Sequence, residues 1–523
     1  MVENAAEKTL SAVLAETTAR VPDATALLSD ERCLTWAELS DEAGRLAALF
    51  LQIGIGAGDV IGFAIDKKPE VVVGFLAAAR IGAVMAPINF KLHPDRIIDQ
   101  FRTSNITAIL TQVSRRKMMD ALAAVLPAPA RRIYVGTPGP EGTSRYADHA
   151  GLEPIGEQPG ITPDTPCYYN YTSGTTGRPK GAVTTHRHIL VNAVSTIEGL
   201  GFTEDDIFLG MFSVFAHPHE LFHRSIVVGG GFAILDSISP RRIAESVARF
   251  KVTWMMAVPS FYEMMLDYAA PRNGVAANTT GKHDLSSLRI LESGGAYVGA
   301  ETMNRMEALF GATFLPVWGC TEATGVGIAN GPGPWRKPGA TGRAVPGYEI
   351  RAVDDDGNDV PFGSVGEMLL RGPALASGYV NQPEETAAAF VDGWYHTSDL
   401  IILDEEGFVQ FSGRRSEMLK IGGIRVYPLE IETAVKSHPD VRDVVVVRAE
   451  ERLRGEIARA VVQAEPGSAL SVRDVQAWCR TLLAGYKVPR IVEFWQEIPK
   501  LPNGKIDKRA VVAITPDASR DER

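Results

Sequence analysis

Short apolar runs alternate with segments of helical period along most of this chain, and that alternation constrains its fold more than any other feature. Val60 to Ile65, Ile106 to Leu110, Trp254 to Val258 and Leu288 to Leu291 read as buried strands, each near a helical segment. Thr35 to Leu51 carries apolar residues at helical spacing. Strands separated by helices build α/β layers on a largely parallel sheet, because parallel neighbours need a crossover between them. The longest apolar stretch, Val71 to Ile88, contains Arg80 and two glycines. It reads as a buried helix and then a strand, not as a membrane span. The N-terminal MVENAAEKTL has no apolar core, so no signal peptide is expected.

Past about residue 340 the texture changes. Gly342 to Gly413 sets many Gly, Asp and Pro residues between short runs such as Glu367 to Leu370 and Phe408 to Phe411, the pattern of a small antiparallel unit. Beyond Gly413 the order is strand (Val444 to Val447), strand (Ala458 to Gln463) and helix (Val472 to Leu483). Pro127 to Pro166 reads as loop with one strand, Ile133 to Val135. A chain of 523 residues exceeds one compact core, so two or more domains are expected. The 53 basic and 63 acidic residues give a net charge of −10, which excludes a nucleic-acid binder working through a basic stripe. Cys33, Cys167, Cys320 and Cys479 lie far apart with no CxxC pair, so neither a zinc site nor a disulfide framework is indicated. The expectation is a reduced, soluble, cytoplasmic protein, a monomer or homodimer, with no membrane span and no nucleic-acid partner.

The strongest local signal is Tyr171 to Gly181, YTSGTTGRPKG. Glycines let backbone approach an anion closely, and Ser and Thr hydroxyls add donors, so such a loop can hold a polyphosphate. It is not a Walker P-loop, because Pro179 rather than Gly precedes Lys180. On composition alone a surface loop is the other reading.

This segment resembles the signature loop of the adenylate-forming enzymes: acyl- and aryl-CoA ligases, nonribosomal adenylation domains and luciferase. Further motifs of that superfamily follow in order. Trp318 to Glu322 (WGCTE) resembles its aromatic-Gly-x-Thr-Glu, and Thr397-Ser398-Asp399 its TSD. Gly413 to Glu432 resembles its hinge segment, and Leu501 to Arg509 (LPNGKIDKR) its C-terminal lysine loop. The resemblance implies an α/β fold with a large N-terminal region, residues 1–413, holding two α/β subdomains and a distorted β-barrel. A small mobile α+β domain, residues 414–523, would follow a hinge near 414–417. It implies an ATP-dependent acid–thiol ligase that makes an acyl-adenylate, releases pyrophosphate and passes the acyl group to CoA, with Mg2+ required and AMP as product. Stopping at the adenylate, or loading the phosphopantetheine of an acyl carrier protein, is the alternative.

By the same resemblance Thr172, Ser173, Gly174, Thr175, Thr176, Gly177 and Lys180 enclose the β- and γ-phosphates. Thr321 bonds the α-phosphate and Glu322 holds Mg2+. Trp318, where the superfamily usually has Tyr, stacks on adenine beside Gly319 and Cys320. Gly294, Gly295 and Ala296 line adenine and the acyl group. Asp399 accepts from the ribose, Arg414 supports ribose and phosphate, and Lys505 reaches the α-phosphate and carboxylate in the transition state. Gly422 and Gly423 border the pantetheine tunnel, with Lys420 and Arg425 on the same segment. Ser416 stands where the hinge usually has Asp or Lys.

Two features stand apart. His219-Glu220-Leu221-Phe222-His223 fits HExxH, which on one helix could place two His on a zinc ion with Glu as base, the remote reading of a zinc peptidase. The same stretch departs from the superfamily's aromatic-His before the acyl pocket: Phe215 and Ala216 stand there, with His217 one place late. Loss of that ring implies a pocket for a bulky hydrophobic acid, whether aromatic, alicyclic, polycyclic or fatty. The competing reading is that His217 turns into the vacated space. Gly294, Gly295, Trp318 and Gly319 complete the expected pocket wall.

Overall fold

The computed structural model describes residues 2–514 apart from 137–138, 173–179, 216, 270–282, 296–297, 299, 422–423, 452–454 and 502–505. The chain forms two compact units. The first comprises Met1–Lys337, Gly342–Glu349 and Arg371–Tyr395, and the second Pro338–Thr341, Ile350–Leu370 and His396–Arg523.

In the first unit the alternation of strand and helix produces two sheets. One has seven strands, in the order Ser144–Arg145, Arg132–Val135, Ile106–Gln112, Val60–Ala64, Val84–Pro87, Pro166–Thr172, Lys180–Thr185. The other has nine: Arg343–Ala344, Gly325–Ala329, Thr313–Cys320, Ile290–Ser293, Trp254–Ala257, Ile207–Gly210, Gly231–Ala233, Thr25–Leu28, Cys33–Thr35. Their central strands pair in parallel. Helices cover them, as the sequence pattern requires. Trp36–Gln52 starts at a capping box formed by Thr35 and Glu38 and buries Leu39, Ala43, Leu46 and Phe50. Pro69–Arg80 has Pro at its first turn and buries almost every residue. Arg80 closes it inside the protein because its guanidinium donates to the carbonyls of Ser40 (3.1 Å) and Ile155 (3.0 Å). A buried charge satisfied by backbone oxygens explains how the apolar stretch tolerates an arginine.

A five-stranded sheet comprises Glu349–Val353, Val365–Arg371, Phe390–Val391, Trp394–Leu403 and Val409–Arg414, a half-barrel where a distorted β-barrel was expected. The second unit also holds a sheet in which Gly455–Ala464 runs antiparallel to Val441–Glu451 and parallel to Ile491–Phe494. The hairpin Leu419–Ile421 and Ile424–Val426 joins its edge. Helices Pro428–Lys436 and Val472–Leu482 pack on its inner face through Ile431, Val435, Val475 and Cys479. The first of these helices begins inside the hinge-like segment, extends past it and was not read from the sequence. Among the described residues no helix is long and apolar enough to cross a membrane.

Candidate active site

Pro166–Thr172 and Lys180–Thr185 form an antiparallel hairpin with Thr172 opposite Lys180. The glycine- and threonine-rich segment joins these two strands in the sequence. Ser173, Gly174, Thr175, Thr176 and Gly177 lie outside the described residues. The hairpin is gripped from the side by residues 376–380. Val183 N donates to Gly378 O (2.8 Å), Val380 N to Gly181 O (2.8 Å) and Ser377 N to Val183 O (3.0 Å), and Ala182 bridges Tyr379. Gly181 is obligatory, since a Cβ there would sit 2.9 Å from both Tyr171 and Val380 side chains.

The same gripping segment reaches Glu322. Ala376 N donates to Glu322 O (2.8 Å), and the Tyr379 hydroxyl donates to Glu322 Oε1 at 2.6 Å. Lys180 Nζ lies 5.1 Å from the centre of the Tyr379 ring. Burial, and then the charge of Glu322, push the Tyr379 hydroxyl well above the ordinary tyrosine range, so it is a neutral donor. Tyr395 is raised for the same first cause, with Cys320 and Glu322 adding to it. One tyrosine thus ties the hairpin Pro166–Thr172/Lys180–Thr185 to the carboxylate, and sequence reasoning missed it.

Glu322 sits on a tight turn between Thr313–Cys320 and Gly325–Ala329, closed by Thr324 N donating to Thr321 O (3.1 Å). Thr324 takes a left-handed φ of 56°. The strands approach so closely at Gly319 that a Cβ would lie 2.5 Å from Gly325 O, which fixes glycine between Trp318 and Cys320. Thr321 and Glu322 are both buried. Neighbouring Ile290–Ser293 runs parallel, with Ser293 opposite Pro316, and leads into Gly294, beside Val317, and then Gly295. That strand is anchored by a buried ion pair. Arg224 donates through both terminal nitrogens to Glu292 (2.6 and 2.9 Å), and Trp254 Nε1 donates to the same carboxylate (2.8 Å). Ala296 lies outside the described residues.

In the second unit Asp399 pairs with Arg414 across the hairpin of Trp394–Leu403 and Val409–Arg414. Arg414 Nε is 3.0 Å from Asp399 Oδ1, and Asp399 is buried. Ser398, with φ 59°, makes the local kink, and Thr397 Oγ1 accepts from Asp399 N (3.1 Å). Lys420 lies on Leu419–Ile421 opposite Arg425, and its backbone N donates to Glu456 Oε2 (2.6 Å). Gly422, Gly423 and Lys505 lie outside the described residues. Next to Ser416, Glu417 binds Lys508 Nζ (2.6 Å), which also lies 3.3 Å from the half-buried Glu432.

Phe215 and His217 follow the strand Ile207–Gly210, and Ala216 is outside the described residues. His217 takes a left-handed φ of 53°, and its Nδ1 is 3.2 Å from the Asn170 amide on the strand Pro166–Thr172. Tyr168 OH in turn donates to Asn170 Oδ1 (2.7 Å). Asn170 is a second contact that sequence reasoning missed.

The HExxH pattern does not occupy one helix, contrary to what a zinc reading requires. His219 and Glu220 belong to a 3-10 turn, Pro218–Leu221, while His223 opens the next helix, His223–Val228. His219 Nε2 donates to Thr324 O (3.0 Å), and burial raises Glu220 to about 8, so it is a protonated acid and not a base. Among the described residues no group of three His, Cys, Asp or Glu is placed to hold a metal.

Residues 14–380 match the model of the AMP-binding enzyme family, and residues 430–505 that of the AMP-binding enzyme C-terminal domain. The chain belongs to the AMP-binding enzyme family. It is 32% identical over 504 residues to a feruloyl-CoA synthase of Amycolatopsis sp, covering 94% of this chain and 96% of the relative. It is 31% identical to an indoleacetate–CoA ligase of Aromatoleum aromaticum, covering 93% and 94%. The crystal structure of the anthranilate CoA ligase AuaEII with anthranoyl-AMP matches with a TM-score of 0.88 at 26% identity, over 97% of each chain. ATP-bound MatB from Rhodopseudomonas palustris matches at 0.85 and 28%, over 96% of this chain and 98% of that one. The fold is that of the adenylate-forming superfamily, and the enzyme is an AMP-forming acid–CoA ligase.

Proposed function

We propose that this ligase activates a bulky hydrophobic acid, aromatic by preference, and delivers it to CoA. The observation that carries the reading is the Tyr379 hydroxyl on Glu322, which joins the phosphate hairpin to the acidic turn within one unit. A carboxylate oxygen attacks the α-phosphorus of ATP, the bond from that phosphorus to the bridging oxygen breaks, and pyrophosphate leaves. Two anions meet in that step, so donors and cations must stand ready as charge builds. Lys180 and the glycine- and threonine-rich segment receive the β- and γ-phosphates, Thr321 the α-phosphate, Trp318 the adenine, and Asp399 with Arg414 the ribose. Glu322 suits Mg2+, because it offers buried carboxylate oxygen whose partner at Oε1 is a neutral phenol rather than a cation. Such an ion neutralises phosphate charge when bound. Lys505 serves the adenylation step. The CoA thiol then attacks the acyl carbonyl and AMP departs, with Gly422 and Gly423 beside the entering pantetheine.

Residues 414–523 as a mobile domain, hinged near Ser416, is part of the same proposal. The aromatic preference is supported by relatives named for ferulate and indoleacetate and by the structure holding anthranoyl-AMP. A carrier-protein acceptor is the second reading, favoured by a relative that is a fatty acid–[acyl-carrier-protein] ligase of Streptomyces coeruleorubidus. ATP and CoA as substrates support a cytoplasmic location.

One pair of variants tests the mechanism. Lys505→Ala should nearly abolish adenylate formation yet spare thioester formation from supplied adenylate, and Gly423→Leu should do the reverse. Equal loss of both steps in both variants contradicts domain alternation.

A further inference from the structure

The carboxyl ends of three adjacent parallel strands, Ile106–Gln112, Val60–Ala64 and Val84–Pro87, lead into Arg115, Asp66 with Lys67, and Phe90. In open parallel sheets that edge is where ligands bind. Two links run from it to the segment after Ile207–Gly210, on the other sheet of the same unit. The Lys67 ammonium donates to Gly210 O, with the Phe212 ring centre 5.6 Å away. Phe90 meets Phe215 edge to face, with ring centres 4.7 Å apart and planes at 89°.

Phe90 also meets Arg115. The Arg115 guanidinium carbon lies 3.6 Å from the Phe90 ring centre, within stacking contact. Arg115 is ion-paired with Asp66. Gln112 fixes Asp66 twice: its Nε2 donates to Oδ2 (2.6 Å), and its Oε1 accepts from Asp66 N (3.1 Å). A ring held by contacts to a cation and to a second ring is placed more firmly than packing alone would place it. Phe215 therefore presents a defined face, and with Phe90 it forms a right-angled aromatic corner.

We propose that Phe90, held by Arg115 and Asp66, is a specificity-determining residue that orients Phe215 and makes the acid site select planar aryl acids over straight-chain acids. This rests on the acid-activating reading above. A flat ring can lie on one wall of such a corner and meet the other edge to face, whereas an alkyl chain gains only burial. Arg115 acts as a positioning residue through Phe90.

The test measures pyrophosphate release by the full-length enzyme with ferulate, benzoate, indole-3-acetate and octanoate. It compares the wild type with Phe90→Leu, Phe90→Tyr and Arg115→Met. The wild type should prefer at least one aryl acid over octanoate. The aryl-to-octanoate ratio of kcat/KM should fall about three- to tenfold in Phe90→Leu, the size of one aromatic pair, and less in Arg115→Met. Phe90→Tyr, which keeps the ring, should retain the wild-type ratio. A ratio that stays put in Phe90→Leu, or equal loss with both acid classes, assigns Phe90 a structural role and overturns the inference. A wild type that prefers octanoate overturns it too, while leaving acid activation intact. A wild type that releases no pyrophosphate with any acid overturns both.

Discussion

Replacing Tyr379 by Phe removes one oxygen and leaves the ring beneath Lys180 in place. The lost hydroxyl donates at 2.6 Å to Glu322 Oε1, on a carboxylate only 6% exposed, so water cannot readily replace it. A hydrogen bond to a charged group contributes about 1.5–3 kcal/mol. If that bond holds Glu322 where the nucleotide needs it, kcat/KM for pyrophosphate release should drop roughly 10- to 150-fold. The backbone links of residues 376–380 to the hairpin do not involve the hydroxyl, so the fold should persist. The assay is pyrophosphate release at saturating acid, with ATP and Mg2+ titrated separately. The variant should require more Mg2+ to reach half its own maximal rate. Activity within about twofold of wild type, with unchanged Mg2+ dependence, would refute the link from phenol to carboxylate to phosphate site.

Three other perturbations follow from buried charges. Arg224→Met strands Glu292, both side chains being essentially inaccessible, and should cost about 3–5 kcal/mol in denaturant unfolding, with Arg224→Met/Glu292→Leu recovering part of it. Glu220 is raised from 4.5 to about 8 by burial, so the folded state holds its proton more tightly than the unfolded chain. Its contribution is full below pH 4.5 and is lost as pH rises through about 8, and relative to Glu220→Gln the wild type should lose on the order of a few kcal/mol across that window. Flat relative stability from pH 5 to 8 would contradict the buried-acid assignment. Lys508→Met leaves half-buried Glu432 facing Glu417 and should loosen the second unit by about 1–3 kcal/mol, discounted for partial exposure and read as faster amide exchange along Pro428–Lys436.

Much of the fold was legible because burial writes a periodic pattern. Val60–Ala64 and Trp254–Ala257 are continuous apolar runs in parallel sheets, and Trp36–Gln52 announces its own start through Thr35 and Glu38. Val441–Glu451 is longer than the apolar run Val444 to Val447, because its charged ends pair with Gly455–Ala464 beyond the buried core. Pro428–Lys436 was missed because only its Ile431, Ala434 and Val435 face inward behind Pro428, too few to display a helical period. Segment motifs located the hairpin and the acidic turn, since each is a local backbone requirement. Tyr379 was invisible for the opposite reason: its contact with Glu322 spans 57 residues and depends on sheet pairing, not on any neighbour in sequence. HExxH misled because the pattern specifies spacing, while Phe222, at φ −135°, separates the two histidines into different elements.

Acid-dependent turnover of ATP tests the central claim most directly. Purified enzyme should convert ATP to AMP and pyrophosphate only when a suitable acid is present, and with CoA added should form one acyl-CoA for each AMP released. ATP left intact across a broad panel of aryl and alkyl acids, or ADP and phosphate as the products, would contradict it.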